Sequence, residues 1–139
     1  MNTKKVILFI IILVFIAGYT LLKKNNDNNI INISKIHTEV LSLNPEYLEI
    51  IEKYISKNQD FVINFVIREQ GNKNVFGDVV FTNIIKNTNT IIATFNTSLD
   101  NFGSTIYVED SQLFFTETIH LGGNDAVSKE KVVDFSEYI

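Results

Sequence analysis

Residues 61–74, FVINFVIREQGNKN, decide the fold. Phe61, Ile63, Phe65 and Ile67 recur at a spacing of two, and Gly71-Asn72-Lys73-Asn74 follows at once. Alternate residues of a strand share one face, so these four side chains line a buried face and the Gly/Asn tract turns the chain. The pattern then repeats. Val79, Phe81 and Ile85 make a second run, ended by a turn at 87–89. Ile91, Ala93 and Phe95 make a third, ended at Asp100-Asn101-Phe102-Gly103. Ile106 with Val108, and Leu113 with Phe115 and Ile119, make a fourth and a fifth, the last ended by Gly122-Gly123. Short period-two runs punctuated by Gly and Asn predict an antiparallel meander. Residues 131–135 supply either an edge strand or, with Phe135, Tyr138 and Ile139, a tail folded back on the domain.

Upstream of these runs the periodicity changes. In 44–57, Asn44 suits an N-cap and Pro45 the first helical position. Leu43 and Leu48 stand where a hydrophobic staple would form. Glu46 and Glu49 come early and Lys53 and Lys57 late, matching the helix dipole, with Glu49 and Lys53 four apart. Tyr47, Leu48, Ile51, Tyr54 and Ile55 complete an apolar stripe. This segment is predicted to be a helix covering the sheet. Residues 30–43 are ambiguous between helix and strand. Ile33, Ile36, Val40 and Leu43 favour a helix, with Asn32 or Ser34 as cap. The fold class expected is α+β, with one or two helices on an antiparallel meander. By layer arrangement alone it is similar to cystatin-like and NTF2-like domains, a likeness that carries no function.

Further upstream lies VILFIIILVFIAGYTLL at 6–22, without a charge. Lys4 and Lys5 precede Val6; Lys23 and Lys24 follow Leu22. As a helix it spans roughly 25 Å, against about 30 Å of bilayer core. Snorkelling lysines close that gap, and Tyr19 suits the interface. The run exceeds the apolar region of a usual signal peptide, and no A-x-A site follows it. A lipoprotein signal would need a cysteine, which the chain lacks. The expectation is an uncleaved signal-anchor over 1–24, with the N-terminus inside and the rest outside the cytoplasm. The bilayer is then one partner. A polar stalk and possible helix occupy 25–43, and an α+β domain occupies 44–139.

All sixteen acidic residues follow residue 24, while four of the twelve basic ones precede residue 25. The remainder carries eight positive against sixteen negative charges, a net of −8. That disfavours nucleic acid and anionic lipid surfaces as partners. The absence of cysteine excludes disulfides and thiolate chemistry. Abundant Ile, Asn, Lys and Phe, with one arginine (Arg68) and one proline (Pro45), reflect AT-rich coding, as in a low-GC bacterium, a phage, a large DNA virus or an organelle. The sequons at Asn32 and Asn96 are then expected by chance.

Two residues stand out as weak catalytic candidates. If Leu113 and Phe115 point inward, Glu117 does too, and a buried carboxylate can serve as acid or base; the favoured reading is that the strand bulges or has left the core by residue 117. His120 lies three residues on, before Gly122-Gly123-Asn124-Asp125. The spacing matches no standard metal site, the Gly pair lacks the phosphate-loop lysine, and Ser128 has no nucleophile context. No cofactor is implied. The favoured function is a membrane-anchored, non-enzymatic protein-binding domain, an accessory or assembly subunit of a membrane or envelope complex. The alternatives are a small hydrolase or ligand-binding domain using Glu117 and His120, and an effector secreted after cleavage. Integral attachment predicts that alkaline carbonate leaves the full chain in the membrane pellet. A soluble protein with a mature N-terminus near residue 20 would contradict it.

Overall fold

The alternating run at 61–67 sits in a strand flanked on both sides by its sequence neighbours. In this computed structural model residues 31–98, 105–122 and 125–139 are described. The anchor expected at 1–24, residues 25–30 after it and the turn at 100–103 lie outside them. The described elements are helix α1 (Ile33–Leu41) and strands β1 (Glu49–Ile55), β2 (Phe61–Gln70), β3 (Asn74–Asn83), β4 (Thr88–Ser98), β5 (Ile106–Glu109), β6 (Gln112–Gly122) and β7 (Asp125–Asp134). A short 3-10 turn, Ser136–Tyr138, follows. The class is α+β, one short helix packed on antiparallel sheets. Residues Ile33–Ile139 form one compact unit, so α1 belongs with the sheets.

The meander is divided in two. A four-stranded sheet runs β1-β2-β3-β4 and a three-stranded sheet runs β5-β6-β7, every pairing antiparallel. The two share one core. Ile63, Phe65 and Ile67 of β2, with Val79 and Phe81 of β3 and Phe95 of β4, face Leu113 and Phe115 of β6. Phe65 is the hinge of this packing. Its ring meets Phe95 at 5.5 Å and the edge of Phe115 at 5.2 Å, the latter at an interplanar angle of 85°. Phe135 closes the far end against Phe61 and Phe81 at 5.3 and 5.4 Å. Thus the C-terminal segment is both an edge strand and a tail folded back. Asn83 Nδ2 holds the tail by donating to the Tyr138 carbonyl at 3.1 Å. Gly77 pairs with Phe95 across β3 and β4. A Cβ there would stand 2.0 Å from the Val66 carbonyl and 2.5 Å from the Phe95 ring, so only glycine lets these strands close.

The helix expected at 44–57 is not formed. Asn44 does cap a turn, its Oδ1 accepting from the Glu46 N–H at 2.9 Å, but the turn ends after one cycle. The Leu48 N–H then donates to the Ile67 carbonyl at 2.9 Å, and Glu49–Ile55 pairs with β2. The staple fails as well, since Leu48 is 61% exposed. The cause is tertiary. Ile50, Ile51, Tyr54 and Ile55 are good strand residues, and β2 presents an edge whose N–H and C=O groups need partners. Ile51 and Tyr54 pack on the shared core, while Ile55 is partly exposed. The helix forms instead at 33–41, burying Ile36 and Val40. Ile85, expected in a strand, lies in the turn after β3 and is exposed.

Phe65→Ala removes the ring that touches both sheets. It should lower stability by about 3–5 kcal/mol in urea unfolding. A loss near zero would mean that the two faces of β2 are assigned backwards.

Candidate functional site

Among the described residues, β4 and β6 each have an edge that no ladder completes. β5 covers β6 only from Gln112 to Phe115, so the rest of β6 faces the free edge of β4. Side chains bridge this seam. Glu117 Oε1 accepts the Asn96 N–H at 2.9 Å. The Thr118 N–H donates to Thr97 Oγ1 at 3.0 Å. Lys131, opposite Phe115 on β7, donates its Nζ to the Thr94 carbonyl and pairs with Glu117 at 3.5 Å. Its ammonium also stands 5.8 Å above the Phe115 ring. An edge strand left bare is a template for unwanted pairing, and inward-pointing charges blunt it. Glu117 is turned toward β4, and its Oε1 is occupied by the seam.

His120 lies further along the same seam, with Nε2 3.1 Å from Ser98 Oγ. Such a spacing is that of a nucleophile and its base. Ser98, however, is fully buried, and among the described residues none is hydrogen-bonded to His120 Nδ1 to orient the ring. Glu117 and His120 thus occupy two levels of one seam, each engaged with β4. His37 is separate. It lies on α1, where burial, assisted by the charge of Lys53, holds its pKa below the usual histidine value. Among the described residues no group of three or more His, Asp or Glu side chains stands close enough to hold a metal ion.

On the other face of the four-stranded sheet is a buried charge the sequence did not single out. Asp78 of β3 accepts the Tyr47 hydroxyl at 2.8 Å on one oxygen and meets Arg68 at 3.2 Å on the other. Burial, reinforced by this bond to Asp78, raises the Tyr47 pKa well above the ordinary tyrosine value. Both carboxylate oxygens are satisfied, so the arrangement is a tie between β3, β2 and the chain before β1. Asp78 falls between Val75 and Val79 in a run that otherwise reads as core, and that break was the available signal.

The outer face of the three-stranded sheet differs from both. Tyr107, Phe114 and Val132 stand opposite one another across β5, β6 and β7. The Tyr107 and Phe114 rings stack at 4.6 Å and 2°. Tyr107 is 41% and Val132 48% exposed. Their alternates Ile106, Val108, Leu113 and Val133 already pack in the core, and Tyr107 and Val132 stay exposed among the described residues. Compared with known protein families, curated proteins and solved structures, the chain matches none.

If Glu117 and Lys131 act together on the β4 edge, a double-mutant cycle with Glu117→Ala and Lys131→Ala should give a coupling of about 1 kcal/mol. Additive losses would show that the pair does not hold the seam.

Proposed function

We propose that the chain is a membrane-anchored, non-enzymatic protein-binding domain, an accessory or assembly subunit of a membrane or envelope complex. Residues 6–22 supply the anchor, and the α+β domain lies outside the cytoplasm. The observation that carries this reading is the open row Tyr107–Phe114–Val132. Aromatic side chains are enriched at protein interfaces and dominate their energetics, because they bury large area at low entropic cost. Here two of them are stacked and held in place by a ladder before any partner arrives.

The negative charge outside the anchor favours a protein partner over nucleic acid or an anionic lipid surface. Glu117 and His120 already serve the fold at the β4–β6 seam, which supports a binding role over catalysis.

The test is crosslinking of the intact protein in its membrane, followed by detergent pull-down and complementation. A Tyr107→Ser/Phe114→Ser double variant should lose its partners while keeping its abundance and circular dichroism. Glu117→Gln and His120→Ala should leave the phenotype intact. A null phenotype for Glu117→Gln in a folded, normally abundant protein would overturn the binding reading and promote the enzymatic one.

A further inference from the structure

The open row ends at β7, and β7 is itself an unfinished edge. It contains ten residues, Asp125–Asp134, paired to β6 on one side. No strand pairs with its other side among the described residues. An exposed edge of this length offers a ready set of main-chain donors and acceptors to an incoming extended chain.

The side chains around it are ordered by sign. On the outer face Val132 is flanked along β7 by Glu130 and Asp134. Across the sheet the row on one side of the apolar one is Glu109, Gln112 and Asp134, and the row on the other contains Thr116 and Glu130. The lysines of β7, Lys129 and Lys131, belong to the opposite face. An apolar row framed by carboxylates is complementary to a segment that is itself apolar with basic flanks. Asp134 accepts the Ser136 N–H at 2.8 Å, and this bond, with a further one from the Ser136 side chain, holds its carboxyl below the usual carboxylate range.

A second copy of this chain fits the edge poorly when the two strands overlap at their middles. Two β7 strands pairing antiparallel about a twofold axis normal to the sheet keep like faces together, so the residue at the axis meets itself. Centring the overlap on the middle of β7 sets Lys129 against Lys129 or Glu130 against Glu130, and like charges directly opposite destabilise a sheet. Self-pairing in these centred registers is disfavoured.

We propose that the free edge of β7 accepts an extended segment of a different protein, one that sets an apolar side chain opposite Val132 and a lysine or arginine opposite Glu130 and Asp134. Main-chain hydrogen bonds then supply affinity, and the framed row supplies specificity. This inference rests on the protein-binding reading above and names the partner's chemistry.

The test uses the full chain in phosphatidylcholine nanodiscs and a displayed library of random twelve-residue peptides. Selected peptides should carry the pattern basic-x-apolar-x-basic. Their affinity should fall about tenfold or more with Val132→Asp or with Glu130→Lys. Both substitutions are on exposed positions, and thermal melting checks that each variant folds. N-methylating the alternate amides of a selected peptide should weaken it to a similar degree, which a side-chain patch without strand addition would not show. Three results would overturn the proposal: peptides with no basic bias, binding indifferent to Glu130→Lys, or no enrichment over empty nanodiscs. So would self-association in sedimentation that Glu130→Lys abolishes, since a second copy would then be the occupant. Vesicles of anionic lipid binding as tightly as the peptides would replace the protein partner with a membrane surface. If crosslinked partners survive Val132→Asp in the intact membrane, the edge is wrong and the protein-binding reading stands. If the unmodified protein crosslinks to none, that reading itself fails.

Discussion

The edge-to-face contact of Phe65 with Phe115 is the constraint on which the rest depends. It joins two sheets that no backbone ladder connects. A single sheet with one apolar face cannot be stable alone in water, because that face must be covered. Here the chain covers the four-stranded sheet with its own last three strands. Phe65 sits where the two layers meet, touching Phe95 on its own sheet and Phe115 on the other. Gly77 serves the same contact by leaving room for the Phe95 ring.

Covering one face in this way leaves others to be managed. The β4 edge is closed by Glu117, Thr97 and Lys131 rather than by a strand. Opposite the core, the four-stranded sheet buries Asp78 with both oxygens engaged. Among the described residues, nothing covers the outer face of the three-stranded sheet or pairs with the far edge of β7. Aromatic, aliphatic and acidic groups stand there in register, which is why the functional proposals centre there.

Much of this was readable in the chain. The period-two runs placed β2 to β6, because alternation is a local consequence of the pleat. Two features were not readable. The segment 44–57 carries consistent helix signals at Asn44, Pro45 and the late lysines, yet Glu49–Ile55 became a strand because the edge of β2 needed hydrogen bonds that a helix would have left unmet. The division into two sheets was hidden because sequence reports faces, not which strand pairs with which. The two-residue turn Asp110-Ser111 is a case in point. Both residues adopt positive φ, 47° and 61°, a geometry usually announced by Asn-Gly. That turn fixes Glu109 against Gln112, and hence Tyr107 against Phe114. The row at the centre of the proposed function therefore depends on a turn with little sequence signature.

The claim that the two sheets are one cooperative unit joined at a side-chain seam is tested most directly by native-state amide hydrogen exchange on the full chain. The N–H groups of Asn96 and Thr118 both donate to side chains across the seam. They should exchange only with the core amides of β2, at the free energy of global unfolding. Exchange of these two amides through a lower-energy opening, while Phe65 and its neighbours on β2 stay protected, would show that the sheets separate and would contradict the single-domain assignment.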